Sequence, residues 1–580
     1  MAASNEYSVA VVGAGPVGLS AALQLGMNGV DVLVLEQRGT QSTHPRAHVV
    51  NARTMELFRT WGIADVVCSA GLPPDLATGF GWLTSLSSDA FATLNYVDDH
   101  TAELHSPERL CSCAQDRVES ALYDRVSEID SVTVQFDSEV VALAEHEDGA
   151  VLTVRRNGLD HDVRARYVIA ADGANSTVRD LSGISLSRSE PLGRRMNIYF
   201  HADLHEVTRS RPYMLWFVYA AKTQGILIVL DPTRWVYSVE LDPQRDPPGD
   251  FGRPQCHELI RAAVGVDDIE VDVVSVMPWQ VDMAVASRFR SGPVFLAGDA
   301  AHRFPPMGGF GMNSGIQDTH NLAWKLSAVL NGTAGESLLD SYDAERRPVA
   351  DYNAAQSMDN ARRQKQSAAM LTKQETLRQL ASPDGEQIRN DIAAGIGMLS
   401  EEFHAQGQVF GSVYRSAAVI DDGTPACEST ITDYRPTARP GARAPHVRLR
   451  TDSGRCVSTI ELLDGHWTLL TFGDASAWRR AADHVQSEVG IPLRTFGIGE
   501  DFGDGVDLVD AEQPGVWRTV YGLDAGGAVV VRPDGHVATR WCRPPAQREE
   551  QALKIALACV LGRAGTTRTP ASTAGAVRGR

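Results

Sequence analysis

The sequence predicts an α/β protein of several domains that contains both a parallel and an antiparallel sheet. A chain of 580 residues exceeds what one hydrophobic core serves, so we expect two or three domains. Three short, apolar segments each lead into a turn that contains glycine, as buried parallel strands do. Between about residues 190 and 285, alternating aromatic-rich runs have the period of an antiparallel sheet.

Composition excludes several classes of partner. The formal net charge is −19, which disfavours nucleic acid and anionic membranes. Eight cysteines without a CxxC pair indicate ordinary thiols in a reducing cytoplasm. Cys111 and Cys113 form the one close pair, and no second Cys/His cluster lies nearby, so we predict no metal site. No targeting segment or membrane span is expected, because glycines interrupt the apolar N-terminal stretch and it lacks a basic leader.

The N-terminal segment has the order strand, glycine turn, helix, strand, acid. Tyr7–Val12 and Val32–Leu35 are short and β-branched, and Leu19–Met27 between them has helical composition that ends at Gly29. This order predicts the first βαβ unit of a Rossmann-like sheet.

The turn of this unit carries the residues that a bound pyrophosphate requires. Gly13 permits the tight turn, Gly15 lets backbone N–H groups approach phosphates, and Gly18 lets helix and strand pack closely. Glu36, at the end of the second strand, is placed to bind ribose hydroxyls. The unit therefore predicts a dinucleotide, and by itself it does not distinguish FAD from NAD.

A second turn follows the apolar strand Val294–Ala297. Asp299 at the end of that strand is placed to accept hydrogen bonds from a polyol chain, and a glycine-rich loop keeps side chains away from a flat ring. The helix that follows presents its first amides, around Met312 and Asn313, to the electron-rich edge of such a ring. NAD has no ribityl chain, so this turn favours FAD; the alternative is an ordinary loop with a capping aspartate.

A third turn follows the strand Tyr167–Ala170. Asp172, Ser176 and Arg179 converge there, which predicts either a cofactor contact or a stable turn with an internal Asp–Arg pair.

These three segments, in this order and spacing, resemble the class A flavoprotein aromatic hydroxylases, which are single-component and NAD(P)H-dependent. Glu36-Gln37-Arg38 and the stretch HPRAHVVNARTMELFR resemble the same family, and the likeness covers about residues 7–350. The segment RAHVVNARTMELFR is most similar to the 2,4-dichlorophenol-hydroxylase-like branch, whose members hydroxylate phenols and hydroxypyridine-type natural products.

The resemblance implies a monooxygenase that uses FAD, NADPH or NADH as a transient donor, and O₂, and that hydroxylates a small aromatic substrate through a flavin C4a-hydroperoxide. It also implies that Arg46 lies beside the flavin and that Gln115 touches it. With the turns above, the predicted FAD-binding residues are Gly13, Gly15, Pro16, Val17, Gly18, Glu36, Gln37, Arg38, Arg46, Gln115, Asp172, Asp299, Pro306, Gly309, Gly311, Met312 and Asn313.

The hydroxylation step needs a proton acceptor, because a phenolate attacks electrophilic oxygen better than a phenol; such proton transfer contributes about 10²–10⁴-fold. His48 aligns by position with the acidic base of related phenol hydroxylases, and histidine titrates near neutral pH. Arg46 and His48 are therefore the candidate catalytic residues, although His48 also fits a residue that pins its loop. His302 is expected to support the flavin loop.

Residues 186–285 are predicted to form an antiparallel β substrate domain inserted between the two parts of the FAD-binding domain, 1–185 and 286–350. Its aromatic side chains either line an apolar cavity or fill the core. The candidate substrate-binding residues are Trp216, Tyr219, Trp235, Tyr237 and Pro305.

The remaining chain is predicted to form a helical connector at 351–430, a thioredoxin-like domain at 431–565 and a disordered tail at 566–580. The βαβ…ββα order supports the thioredoxin-like prediction, but Asp474-Ala475-Ser476 replaces a CxxC after LLTFG. We therefore expect packing or assembly from this domain rather than thiol chemistry, and a homo-oligomer.

Two other kinds of enzyme and one non-enzyme remain as alternatives. The first is a flavin-dependent halogenase on the same cofactor fold, whose chemistry resembles cases that need a lysine beside a channel and a WxWxIP stretch. In this chain the first lysine is Lys222, and the segment MPWQVDM does not match WxWxIP. The others are a flavin oxidase or reductase, and a flavin-binding scaffold.

Overall fold

The computed structural model describes residues 6–95, 102–220, 222–241, 252–369, 371, 374–380, 382, 385–397, 399–425 and 429–563. The predicted tail at 566–580 lies outside the described residues. Three large mixed or antiparallel sheets and their helices confirm the predicted α/β class. No helix in the described part of the chain is long and apolar enough to cross a membrane.

The first sheet is the Rossmann-like sheet. Its spatial order is Arg290–Ser291, Val294–Leu296, Leu159–Ala170, Glu6–Val12, Val32–Leu35 and Val132–Gln135. Gly149–Arg156 and Glu139–His146 extend it as an antiparallel pair beside Leu159–Ala170. The inner strands are parallel, and Val12 pairs with both Leu35 and Ala170, so the carboxyl ends of these strands meet at one edge. Ligands of open parallel sheets bind at that edge.

Helices cover this sheet, and the first of them ends at Met27, as predicted, but begins three residues before Leu19. Pro16–Met27 packs against Gln115–Ser127 and Phe310–Leu330. The other helices of residues 6–368 are Ala52–Thr60, Ala64–Ala70, Ala102–His105, Thr177–Leu181, His205–Thr208, Arg253–Val264 and Asp340–Ala368, with 3₁₀ turns at Pro74–Leu76, Gly298–Ala300 and Glu336–Leu339.

The second sheet contains the predicted alternating strands and three others. Its spatial order is His302–Arg303, Asp272–Ala286, Leu186–His201, Arg234–Leu241, Gln224–Val229, Tyr213–Tyr219, Gly79–Leu83 and Ala92–Asn95. Tyr213–Tyr219 and Gly79–Leu83 pair in parallel, and the other neighbours are antiparallel. The sheet therefore draws strands from both sides of the predicted range 186–285.

The predicted connector is helical, and it also covers the second sheet. Its helices, after the long Asp340–Ala368, are Gln374–Leu380, Glu386–Gly397, Ser400–Phe403 and Gln406–Phe410. Ile392 and Ile396 are buried in the same hydrophobic core as the second sheet. Phe403 stacks on Phe80 of that sheet, with ring centroids 4.0 Å apart.

The C-terminal region folds around the third sheet. Its spatial order is Cys456–Ser458, Arg448–Thr451, Leu508–Asp510, Leu493–Gly499, Trp467–Phe472, Ala528–Val531 and Val537–Trp541. The parallel strands Trp467–Phe472 and Leu493–Gly499 are joined by the helix Ser476–Val489, and the last hairpin leads into Glu549–Val560. These are the predicted βαβ and ββα units. A 3₁₀ turn, Thr459–Leu462, and the short helix Val516–Tyr521 complete this region.

Candidate active site

The first glycine turn has the geometry that each glycine was predicted to provide. Gly13 has φ +102°, and a Cβ there would lie 2.4 Å from the Ala171 carbonyl oxygen. A Cβ on Gly18 would lie 1.9 Å from the Gly13 carbonyl oxygen, so helix and strand pack closely only with glycine. A Cβ on Gly15, by contrast, would meet nothing within 4 Å. Gly15 is the N-cap of the helix Pro16–Met27 and supplies no side-chain cap, which leaves the first amides open to an anion.

Glu36 lies at the carboxyl end of the neighbouring strand and is almost fully buried. Its carboxylate accepts hydrogen bonds from the Ala14 amide at 2.9 Å and from the Arg38 amide and Nε, each at 2.9 Å. Burial disfavours its charged form, but the bonds from Arg38 and Ala14 outweigh it and lower the pKa of Glu36. A ribose bound here would share the carboxylate with Arg38, while Gln37 is exposed.

Asp299 and Arg46 are free charges in the crevice at the strand ends. Asp299 is solvent-accessible, yet the protein around it is dense enough that burial raises the pKa of Asp299, an effect that His302 and Arg46 partly offset. Asp299 follows the strand Val294–Leu296, at the edge of a parallel sheet where ligands bind. The Arg46 guanidinium is exposed and makes no hydrogen bond or ion pair with residues the structure describes. Both groups are available to a ligand.

The glycine-rich loop ends at the helix Phe310–Leu330. Gly309 caps that helix with φ +69° and no side chain, and a Cβ on Gly311 would meet nothing within 4 Å. Asn313 is fully buried and its side chain donates to the carbonyl oxygens of Val49 at 2.9 Å and Gly309 at 2.7 Å. Asn313 therefore fixes the loop, while open space remains above Gly311. Met312 and Pro305 are buried, whereas Pro306 is exposed.

The third turn is joined to the second. Asp172 accepts hydrogen bonds from Ser176 and from the Val178 amide, and so caps a short helix; burial raises the pKa of Asp172. Arg179 does not pair with Asp172 but donates to the Ala300 carbonyl oxygen at 3.3 Å. The internal ion pair of this turn is instead between Arg179 and Asp180, at 3.2 Å. Arg179 instead holds the two turns together, because it reaches across to the backbone next to Asp299.

The loop before Ala52–Thr60 places His48 against the strand Cys111–Ser112. The His48 carbonyl accepts the Cys113 amide at 2.7 Å, and its Nδ1 lies 3.4 Å from the Ser112 Oγ. Part of the side chain is accessible, but the surrounding protein desolvates the ring and lowers the pKa of His48 to about 4. A desolvated imidazole stays neutral and is a weak base. Gln115, also predicted near the cofactor, exchanges hydrogen bonds with the Ala47 backbone on the same loop.

Sequence reasoning missed the two groups that support His302 beneath the loop, Asp318 and Arg346. His302 contacts Asp318 at 2.6 Å, and Asp318 also accepts from Arg346 at 2.8 Å, all fully buried. Burial opposes the charge of Asp318, but His302 and Arg346 outweigh it and lower the pKa of Asp318. Asp318 also accepts the Gly298 amide at 3.2 Å, which anchors the turn that carries Asp299. His302 thus has the supporting position predicted for it.

The predicted substrate aromatics divide between the two faces of the second sheet. Residues paired across strands share a face, and Trp216, Leu227 and Tyr237 lie in one buried row. The opposite face meets the first domain, because Tyr199 and Val236 pack against Ala114. Trp216, Trp235 and Tyr237 therefore face away from the crevice and fill the core, which corrects their assignment to a cavity. Tyr219, on the crevice side, is half-buried, and burial raises the pKa of Tyr219 to about 12.

The face toward the first domain carries polar residues. Asn197 accepts the Trp279 Nε1–H at 3.0 Å, and Arg195 donates to the Ser238 Oγ at 3.0 Å. His44, from the loop that carries Arg46, lies 2.7 Å from the Ser275 Oγ of this sheet. The crevice is thus enclosed by turns of the first sheet and by one face of the second.

The residues present fit FAD. Two helix N-termini lack side-chain caps, Gly15 and Gly311 leave open space where a ligand approaches, and Asp299 is an unpartnered acceptor for a polyol among the residues the structure describes. Glu36 ends the strand beside the phosphate turn. The fold and this site define a protein that binds a flavin dinucleotide.

Comparisons with known proteins identify the family. A family model described as "FAD binding domain" matches residues 6–357, and one described as "Aromatic-ring hydroxylase, C-terminal" matches residues 437–564. The chain is 33% identical to the tetracenomycin A2 monooxygenase-dioxygenase of Streptomyces glaucescens, over 98% of this chain and 99% of that protein. It is also 33% identical to the 2,4-dichlorophenol 6-monooxygenase of Delftia acidovorans, over 95% and 98%.

Solved structures agree. The flavin-dependent monooxygenase PieE, in complex with FAD and substrate, superposes with a TM-score of 0.88 at 32% identity, over 96% of this chain and 99% of that one. The chain therefore belongs to the FAD-dependent aromatic-ring hydroxylases, which are monooxygenases. The predicted family, enzyme class and cofactor are confirmed.

Proposed function

We propose that this hydroxylase acts on a phenol-type ring, with NADPH or NADH as a transient donor and O₂ as the oxygen source. The observation that carries the proposal is the crevice itself, where three turns of the first sheet face a partly polar surface of the second. Bound FAD supplies the chemistry that activates O₂ for transfer of one oxygen atom to the ring.

The residues of this chain bind and orient the reactants. The amides at Gly15 and Gly311 and the carboxylates of Glu36 and Asp299 hold the dinucleotide. Arg46, exposed and unpaired within the described residues, presents a cation to an incoming nicotinamide dinucleotide. The buried surroundings of the sheet face exclude water from the ring.

The substrate is proposed to be a fused-ring or substituted phenol. The relatives above are named for tetracenomycin A2 and for 2,4-dichlorophenol, and another solved relative, aklavinone-11 hydroxylase, is in complex with FAD and aklavinone, with a TM-score of 0.82 at 31% identity. Asn197, Ser238 and Tyr219 offer hydrogen-bonding groups to a hydroxylated ring from the crevice side of the sheet.

Oxygen uptake and NAD(P)H consumption, measured with and without a panel of phenols and polycyclic phenols, test the proposal. We expect substrate-stimulated consumption and a product heavier by one oxygen atom. Gly15→Ala, which is expected to weaken FAD binding, serves as the matched control and should show a lower rate at limiting FAD. Consumption without any oxygenated product from the whole panel, or a requirement for halide, would reject hydroxylation of phenols by this chain.

A further inference from the structure

Arg195 presents a cation on the face of the second sheet that lies toward the crevice. It alternates along the strand Leu186–His201 with Asn197 and Tyr199, so its side chain shares their face. That face meets the first domain, because Tyr199 packs against Ala114. Arg195 is half-buried, so its guanidinium belongs to the wall of the crevice rather than to the outer surface.

One neighbour fixes two of the three guanidinium nitrogens. Nε of Arg195 donates to the Ser238 Oγ at 3.0 Å, and Nη2 donates to the Ser238 carbonyl oxygen at 2.9 Å. Nη1 has no hydrogen-bond partner among the residues that the structure describes, and the protein does not enclose it. The guanidinium is therefore held in one orientation, with an edge left open for a further acceptor.

The charge of Arg195 has no ion-pair partner in the described part of the chain. Glu240, its neighbour on the adjacent strand, is exposed and forms no ion pair with it. Burial lowers the pKa of Arg195, although Glu240 and Tyr219 oppose this effect. Because the guanidinium contacts only neutral acceptors, an incoming anion would form a stronger, charge-assisted hydrogen bond with it.

Accessible apolar surface adjoins this cation on the same face. Trp279 pairs with Arg195 across the strands and donates its Nε1–H to the Asn197 Oδ1, which leaves the ring beside the guanidinium. Ile226 pairs with the strand on the other side, in the row of Asn197. Trp279, Ile226 and Tyr219 are all half-buried, so their side chains can contact a ligand. This surface suits a flat aromatic molecule that carries a negative charge at one edge.

We propose that Arg195 is a specificity-determining residue that binds an anionic oxygen group of the aromatic substrate, a carboxylate or a phenolate. The inference rests on the proposed function, because that function places the ring to be hydroxylated against this face of the sheet. The open Nη1 donates to the anion, while Trp279 and Ile226 contact the ring. Recognition at these two points favours hydroxylated aromatic acids and acidic phenols over neutral phenols.

The test compares matched probes that bind the FAD-loaded full chain in the absence of NAD(P)H, measured by changes in flavin absorbance at neutral pH. The compounds 3-hydroxy-2-naphthoate and 2-naphthol test for a carboxylate, and 2,4-dinitrophenol and phenol test for an ionised phenol. We expect the unaltered chain to bind at least one anionic probe about tenfold or more tightly than its neutral counterpart. The pair that shows this preference identifies the oxygen group that Arg195 binds.

Arg195→Met removes the donors and the charge, so the preference should fall to about twofold or less. Arg194→Met, which alters the opposite face of the same strand, is the matched control and should keep the preference of the unaltered chain. A ratio of two affinities within one variant cancels any general loss of binding. Circular dichroism and the flavin content show whether each variant folds.

A preference that survives Arg195→Met would overturn the proposal, and so would an unaltered chain that prefers neither anionic probe. If Arg195→Met does not fold, Arg195→Lys decides. Lysine keeps the charge but cannot make both bonds to Ser238, so its preference should fall by about threefold or more, and an unchanged preference would overturn the proposal. Failure of the proposed function is separate, because anion-selective binding would remain while no phenol is hydroxylated.

Discussion

The crevice and the interface between the first domain and the C-terminal region both contain charged side chains. Those of the crevice are accessible and unpaired within the described residues, whereas those of the interface are buried and paired. In the crevice, Arg46 and Asp299 are accessible and unpaired within the described residues. At the interface, Arg532, Glu345 and Lys325 are fully buried and joined, with Arg532 to Glu345 at 2.6 Å and Lys325 to Glu345 at 2.7 Å. Charged side chains without a protein partner are available to a ligand, whereas buried and paired ones fix one arrangement of the domains.

The interface network reaches the cofactor helix. Lys325 lies on Phe310–Leu330, the helix whose first turn borders the crevice, and Trp324 of that helix donates to Asp534 at 3.2 Å. Asp534 in turn pairs with Arg532. A second buried group, in which Arg443 and Arg53 both pair with Glu56, extends the contact to the helix Ala52–Thr60. The C-terminal region thus supports two helices of the site.

The largest effect is expected where a buried pair is broken. Arg532→Met leaves Glu345 and Asp534 without their main partner and should lower the free energy of unfolding by about 3–5 kcal/mol. Denaturant unfolding measures it. Arg543→Ala, which removes an exposed pair with Asp524, is the control and should change stability by about 0–1 kcal/mol. Equal effects of the two variants would mean that the interface charges do not hold the domains together.

Acid should weaken the interface. Arg532 and Lys325 outweigh burial and lower the pKa of Glu345 well below its usual range. A carboxyl whose pKa is depressed by folding contributes stability that is present above its unfolded pKa of about 4.5, and that stability is lost as the pH falls toward the folded pKa. The free energy of unfolding, measured at decreasing pH, should therefore fall below about pH 4.5, by at most about 1.4 kcal/mol for each step of one in pH from this carboxyl. A flat profile there would contradict the pairing.

The substitution Gly15→Ala should lower the affinity for FAD without lowering the stability of the fold. The new Cβ meets open space in the free protein, so stability should change by less than about 0.5 kcal/mol, while the methyl group obstructs the phosphates and FAD affinity should fall by about tenfold or more. Flavin fluorescence and thermal unfolding measure the two effects. Gly18→Ala is the matched contrast, because its Cβ would collide with the Gly13 carbonyl and destabilise the fold. Tight FAD binding by Gly15→Ala would place the phosphates elsewhere.

The smallest effect is expected at His48. A neutral, desolvated imidazole with a pKa of about 4 is a weak base, so His48→Gln, which keeps a hydrogen-bonding group near Ser112, should reduce the hydroxylation rate by no more than about tenfold and leave FAD content unchanged. Turnover and the flavin-to-protein absorbance ratio are the measurements. A loss of about 10³-fold would restore His48 as the proton acceptor.

Local sequence predicted those features that depend on a few neighbouring residues. The strand Val32–Leu35 begins and ends where predicted, and Gly13 and Gly18 have the close contacts that their spacing indicated. The sequence could not predict which face of the second sheet lies toward the crevice. An alternating pattern shows that a strand has two faces, but it does not show which face packs against the first domain. The pKa of His48 depends on desolvation by residues far away in the chain.

The ion pairs between residues far apart in the chain could not be predicted from the sequence pattern either. Nothing in the segment VVVRPDGH indicates that Arg532 will meet Glu345 of the long helix, because the pairing is set by how the third sheet docks.

The parallel pairing of Gly79–Leu83 with Tyr213–Tyr219 has a consequence for synthesis on the ribosome. The earlier strand, with its buried Phe80 and Trp82, leaves the exit tunnel long before its partner has been translated. Until then the edge that pairs with Tyr213–Tyr219 is uncovered, so the nascent chain exposes a strand edge that favours aggregation.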